Sequence, residues 1–186
     1  ELRPRSRGFA QLVVTDLAKS RQIRVLERDR MQAILDEMRL ADSARVDPQA
    51  ALRSGRLLRA ARVVQGSLAD QGQNLRVDAA VVDVASAGVT ASAGATDVLN
   101  RLFDLEKQLV LSIFGNLGIQ LTPAEQAAIN QRPTQNLQAF LAFSRGLEAE
   151  DRGDFAGARA AYGEAAGLDP SFRAAAQGAS NAGDLS

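Results

Sequence analysis

The sequence predicts an α/β (α+β) fold: a mixed sheet with helices in two or three layers, followed by a separate α-helical hairpin. Three observations indicate this. Apolar residues have helical spacing in the first part of the chain, apolar and polar residues alternate in its middle, and a second helical pattern occupies its last part. We therefore expect an α/β domain over residues 1–121, a linker over 122–135 and a helical segment over 136–186.

The first 60 residues predict three helices and one short strand. Apolar residues at helical spacing predict the first helix over residues 8–19, and the apolar run at residues 23–26 predicts a strand. Asp29, followed three residues later by Gln32, forms a capping-box pattern that begins the second helix. Asp47-Pro48 begins the third, because proline is tolerated at the first helical position.

The middle of the chain predicts a three-stranded antiparallel meander. Residues 62–70 have a β-like composition, and residues 71–74 supply a tight turn. Residues 75–81 alternate in the manner of a half-buried strand. Ser86-Ala87-Gly88 then turns the chain into a third strand over residues 89–95.

A long helix with a broad apolar face is predicted after the meander. Asp97 is expected to cap this helix, and Gly118 is expected to end it. The following residues, 122–133, are polar and contain two prolines, which places the domain boundary in this segment.

The composition excludes several kinds of site. The chain of 186 residues contains no Cys and no His, so Cys/His zinc sites, disulfides, thiol nucleophiles and Ser-His-Asp triads are excluded. Its 22 basic residues (20 Arg and two Lys) balance 22 acidic residues, which argues against nucleic-acid binding. No run approaches the roughly 20 apolar residues of a membrane helix, so no membrane insertion by this segment is expected.

Carboxylates are the remaining acid–base groups, and no pair of them is expected to converge. Asp78 and Asp83 lie an odd number of residues apart on one predicted strand, so they point to opposite faces. Glu148, Glu150 and Asp151 are interpreted as exposed helix charges. The chain is therefore not expected to be an enzyme, and no cofactor or metal is expected.

Three segments resemble CsgG-like proteins, and they occur in the family's order. They are residues 23–28 leading into 31–37, residues 75–84 with the turn at 86–88, and residues 102–109 ending at 117–119. The family includes the curli secretion channel, and related folds occur in the amino-terminal domain of TolB. The resemblance implies a non-catalytic protein of the bacterial envelope, located in the periplasm or associated with the outer membrane.

Two departures from the family limit what the resemblance implies. Family members usually begin with a strand, but residues 1–7 are too charged and proline-broken to form it. Either another segment completes the sheet, or the sheet keeps an open edge that a partner strand or a second copy fills. The connections at 71–74 and 86–88 are also too short for membrane-crossing hairpins, which need roughly 9–11 residues per strand, so no pore is expected.

The tail resembles a single tetratricopeptide (TPR) repeat. The residues that carry this resemblance are Gly146, Gly153, Asp154, Phe155, Ala158, Tyr162, Ala165, Leu168, Asp169 and Pro170. One repeat cannot bury its own apolar face, so the tail should dock, pair with another copy or continue into a longer array. Phe140, Phe143 and Leu147 form an apolar stripe, which is interpreted as a partner-binding groove or, with more support, as a docking surface.

These inferences favour one function and leave an alternative open. The expected function is a non-catalytic envelope scaffold or assembly protein that binds protein partners or forms a homo-oligomer. The alternative is a periplasmic small-ligand or glycan-binding module with a concave polar pocket. An enzyme that uses only carboxylates, for example on glycans, is the least favoured hypothesis.

Overall fold

The computed structural model describes residues 2–26, 56 and 59–184. The chain forms two compact units, one of residues Glu1–Leu12 and Gln131–Ser186, called the helical unit, and one of residues Val13–Asn130, called the sheet unit. The predicted second and third helices lie, apart from Arg56, outside the described residues. The domain boundaries expected from the sequence stay a prediction.

Helix α1 (Leu2–Leu17) begins six residues before the predicted start, and its apolar stripe is buried as expected. The strand predicted at residues 23–26 is wrong, since these residues have no regular secondary structure. The preceding residues are held by side chains instead: the Arg21 amide donates to Glu125 (2.9 Å) and Gln22 Nε2 donates to the Gln120 carbonyl (2.7 Å). A short apolar run alone does not distinguish a strand from other buried segments.

The predicted meander is confirmed. Strands β1 (Arg62–Gln71), β2 (Asn74–Asp83) and β3 (Val89–Val98) form an antiparallel sheet in the order β1-β2-β3. Gln71 pairs with Asn74, so the first hairpin has a two-residue loop, in which Gly72 has a φ of +68°. All pairing among the described strands is antiparallel.

One face of the sheet is covered by helix α2 (Leu102–Asn116), which packs mainly on β3. The central strand turns four buried apolar side chains to this face: Leu75, Val77, Ala79 and Val81. After α2, Gly118 has a φ of +68°, and the Ile119 amide donates to the Phe114 carbonyl at 3.0 Å. This arrangement is typical of a helix that ends at a left-handed residue, so the predicted end of the helix is confirmed.

The predicted start of this helix is wrong. Asp97 lies within β3, where its carboxylate accepts a hydrogen bond from the Val98 amide at 2.8 Å and forms an ion pair with Arg101 at 3.1 Å. A 3₁₀ turn (Leu99–Arg101) then separates the strand from α2. Asp97 therefore serves the connection rather than the first turn of the helix.

Helix α3 (Pro123–Asn130) occupies part of the segment expected to be a linker. Its start is a capping box, in which the Glu125 amide donates to Thr122 Oγ1 at 3.2 Å and the Thr122 amide donates to Glu125 Oε2 at 2.8 Å. This reciprocal pair satisfies amides that would otherwise lack partners. A polar composition with two prolines thus includes a short helix.

Three helices follow in the helical unit: α4 (Leu137–Asp151), α5 (Phe155–Leu168) and α6 (Arg173–Asp184). Asn136 caps α4 and Asp154 caps α5 through side-chain bonds to backbone amides. The α+β class with a C-terminal helical region is confirmed, whereas the assignment of a TPR repeat stays a prediction. Of the helices in the described ranges, none is both long enough and apolar enough to span a membrane.

Candidate functional site

The interior of the helical unit is built around Tyr162. The ring of Phe143 lies 5.3 Å from that of Tyr162 and 4.9 Å from that of Phe172, measured between centroids. The Tyr162 hydroxyl donates to Glu150 Oε2 at 2.5 Å. Gly146 lies so near the ring that a Cβ there would be 2.4 Å from its carbon atoms. Small residues therefore let three helices close around one large side chain.

The predicted partner-binding stripe lies inside this unit. Phe140, Phe143 and Leu147 are 0%, 6% and 5% exposed, so none of them presents a side chain to solvent. Phe140 packs toward α1, where a Cβ at Gly8 would lie 2.8 Å from its ring. The three side chains therefore pack in the interior of the helical unit. A partner-binding role for them stays a prediction.

Two acidic residues of α4 are not the exposed charges that the sequence indicates. Glu150 accepts the hydrogen bond from the buried Tyr162, and Asp151 forms an ion pair with Arg7 of α1 at 3.3 Å. That interpretation was wrong because helical periodicity alone did not show which polar positions meet a neighbouring helix. Glu148 is also only partly exposed (21%), and it pairs within its own helix with Arg152 at 3.4 Å.

A shallow polar depression lies at the start of α4. Its lining consists of Gln135, Asn136, Leu137, Gln138, Asp169 and Ser171. Most of its polar groups already have partners: Asn136 caps the helix, and Asp169 accepts hydrogen bonds from Ser171 and Thr134. These bonds, that from Ser171 first, hold the pKa of Asp169 below its ordinary value. The depression therefore offers few unsatisfied groups to a small ligand.

The outer strands of the described sheet are β1 and β3, each of ten residues. Each carries a large apolar side chain in solvent, Val64 at 40% and Val89 at 52% exposure. Outer strands present backbone donors and acceptors that can pair with another strand. Within the described residues, the edges of β1 and β3 are the surfaces to which the strand addition expected from the sequence would occur.

The predicted acids of β2 have local partners. Asp78 accepts two hydrogen bonds from the Arg76 guanidinium, at 2.7 and 2.9 Å. Asp83 accepts from the Ser86 amide at 2.9 Å, which holds its pKa below the ordinary value. Each carboxylate thus organises its own segment of strand or turn.

The sequence interpretation missed a buried cluster of charges in the sheet unit, which we call the ion cluster. It consists of Asp16 at the end of α1, Lys19 just after it, and the neighbouring Glu106 and Lys107 of α2. Lys107 Nζ pairs with Asp16 Oδ2 and lies 3.0 Å from Glu106 Oε2. Lys19 Nζ lies 2.6 Å from Asp16 Oδ1 and donates to the Ala128 carbonyl of α3 at 2.8 Å.

Burial in this cluster changes the protonation of one member. The pKa of Glu106 is raised from 4.5 to about 7, first by burial and then by the charge of Asp16, while Lys107 opposes the rise. A signal in the sequence could have found the cluster. The chain has 20 arginines but only two lysines, and both lysines lie here.

The comparisons with known proteins identify the family. The model of the family described as curli production assembly/transport component CsgG matches residues 4–99, just over half of the chain. No curated protein and no solved structure matches the chain significantly. The matched range includes most of α1, the predicted second and third helices and the three-stranded sheet. On this match the chain belongs to the CsgG family.

Proposed function

We propose that this chain is a non-catalytic scaffold of the bacterial envelope that acts in assembly or secretion. The observation that carries the proposal is the family match over residues 4–99, whose description is a component of curli production, assembly and transport. Membership supports an extracytoplasmic location, in the periplasm or at the outer membrane. The chain works by binding protein partners or by assembling with copies of itself.

The short strand connections support a scaffold that forms no pore. The first hairpin has two residues between paired ends, and five residues separate β2 from β3. A membrane-crossing hairpin needs about 18–22 residues in its two strands. These two connections of the described sheet therefore lack the length of membrane-crossing hairpins, and the proposed function uses the edges of this sheet.

The surface that best suits assembly is the edge of the sheet. Strand addition uses backbone hydrogen bonds for affinity and alternate side chains for specificity. On β1, Val64 offers an apolar contact beside the backbone, and on β3, Val89 does the same. A partner strand or a second copy would cover these side chains when it pairs.

Light scattering across a concentration series tests the proposal. We expect a stable species above the 19.7 kDa monomer mass, and we expect Val64→Lys or Val89→Lys to shift it toward monomer, because a charge on an edge strand opposes pairing. Leu168→Lys is the matched control, since the exposure of Leu168 (44%) lies between those of Val64 and Val89 but the residue lies on α5. A strict monomer at all concentrations would contradict self-assembly and leave a heterologous partner as the form to test.

A further inference from the structure

Three ionisable side chains of the ion cluster are almost completely removed from solvent. Glu106 is 0% exposed, Asp16 is 3% exposed and Lys107 is 9% exposed. Burying an ion costs several kcal/mol unless opposite charges and hydrogen bonds compensate it. The behaviour of the cluster therefore depends on how evenly its charges are compensated.

The compensation is uneven. Both oxygens of Asp16 are bound by ammonium groups, one by Lys107 and the other by Lys19. Among the described residues, the shared Lys107 is the one ammonium beside Glu106, at 3.0 Å, and the Asp16 carboxylate is its other charged neighbour. Neither oxygen of Glu106 accepts a well-formed hydrogen bond from the described residues. Two carboxylates thus divide one buried ammonium, and Glu106 has the weaker share.

The elements around α2 supply no further cation to Glu106 within the described part of the chain. β2 turns apolar side chains toward the helix, and the charged residue of β3 on that face, Asp97, is bound to Arg101. Asp104, on α2 itself, also lies near Arg101, at 3.5 Å. From α3 the cluster receives the Ala128 carbonyl, which contacts Lys19 rather than Glu106.

We propose that Glu106 is a proton-binding site that locks the end of α1, the helix α2 and the end of α3 together when protonated and loosens them when ionised. The neutral carboxyl removes one buried negative charge and leaves Lys107 to pair fully with Asp16. Ionisation places two negative charges about one ammonium, which weakens the contacts that Asp16 and Lys19 make with α2 and α3. The device is independent of the proposed assembly function.

The direction of the pH effect follows from linkage. The folded-state pKa of Glu106, about 7, lies above its ordinary value of 4.5. The folded protein therefore binds a proton that the unfolded chain has released, so stability falls as pH rises from about 4.5 through 7. The chain has no His and no Cys, so no other side chain ordinarily titrates in this range.

Thermal unfolding of the full chain between pH 5.5 and 8 tests the proposal. We expect the melting temperature to fall by about 5 °C over this range. The reason is that Glu106 loses its proton as pH rises, and the folded state loses the stabilisation that the bound proton provided. Glu106→Gln keeps the neutral amide at every pH, so its profile should be flat and should exceed the wild-type value at pH 8. Asp104→Asn, on the same helix and paired at the surface with Arg101, should keep the wild-type slope.

A direct measurement keeps the proposal testable even when the glutamine variant does not fold. Carbon-13 NMR of the wild-type carboxyl groups should show one glutamate signal that titrates near neutral pH and is assigned to Glu106. A Glu106 signal that titrates near 4.5 would overturn the proposal. A pH-independent melting temperature, or a slope that persists in Glu106→Gln, would overturn it as well.

Discussion

The helical unit and the sheet unit exclude water in different ways. In the helical unit, alanines and Gly146 allow close contact around three aromatic rings, and the buried Ala139, Ala158 and Ala165 are 0% exposed. In the sheet unit, aliphatic side chains together with Phe103 and Phe114 are buried, but α2 also carries Glu106 and Lys107 into the interior. The first interior depends on shape and the second depends partly on charge, so changes of volume and changes of pH should separate them.

The largest effect expected from this difference is the removal of the Tyr162 ring. Tyr162 is 1% exposed and contacts Phe143 at the centre of the helical unit. Tyr162→Ala should lower the free energy of unfolding by about 3–5 kcal/mol, because it removes buried area and leaves a cavity. Urea denaturation followed by circular dichroism measures this loss.

Tyr162→Phe is the matched control for the ring. It keeps the apolar surface and removes only the hydrogen bond to Glu150, which is 2.5 Å long. The expected loss is about 1.5–3 kcal/mol, because the acceptor is a carboxylate. Equal losses in the two variants would contradict a core that depends mainly on shape.

The second effect in size comes from adding volume instead of removing it. A Cβ at Gly146 would lie 2.4 Å from two atoms of the Tyr162 ring, so Gly146→Ala forces the ring to move. We expect a net loss of about 1–3 kcal/mol, because overpacking outweighs the better helix propensity of alanine. The same denaturation experiment measures it.

Gly163→Ala, in the neighbouring helix, should change the free energy of unfolding in the opposite direction to Gly146→Ala. Gly163 lies within α5, and no atom lies within 4 Å of the position that its Cβ would take. The substitution should stabilise the protein by about 0.5–1 kcal/mol through helix propensity alone. A loss at Gly163 comparable to that at Gly146 would show that backbone conformation, and not the Tyr162 contact, governs both sites.

The sequence predicts these two interiors unequally. The spacing of Gly146, Ala158 and Ala165 predicts close helix packing in the tail, and the structure places these residues in the interior of the helical unit. Alternation predicts the meander, because buried and exposed positions alternate in the first half of β2 and half-buried and exposed positions alternate along much of the two outer strands. Such patterns repeat locally, so a single sequence is enough to find them.

The ion cluster could not be predicted in the same way. Asp16 and Glu106 each occupy a position on the apolar stripe of their helix, where helical spacing alone would place an apolar residue. Their compensation depends on Lys107 meeting Asp16 across 91 residues of chain. The strand predicted at residues 23–26 was wrong for a related reason, since the residues just before it are bound by distant groups, the Glu125 carboxylate at Arg21 and the Gln120 carbonyl at Gln22.

The smallest effect expected is at the surface of the sheet unit, and it has the opposite pH sign to that of Glu106. The pKa of Glu125 is lowered from 4.5 to about 2, first by the hydrogen bond from the Thr122 amide and then by that from the Arg21 amide. The stability that Glu125 contributes is therefore present above about pH 4.5 and is lost as pH falls toward 2. Together with Glu106, this predicts that the sheet unit is most stable near pH 5.

Glu125→Gln tests the loss of stability expected at acid pH, because it removes the charge that the two amides stabilise. Urea midpoints at pH 5 and pH 3 should differ less in this variant than in the wild type. Glu164→Gln is the control, since Glu164 pairs only at the surface of the helical unit, with Arg145 at 2.8 Å; it should keep the wild-type difference. An unchanged difference in Glu125→Gln would contradict the contribution that we assign to Glu125 between pH 5 and pH 3.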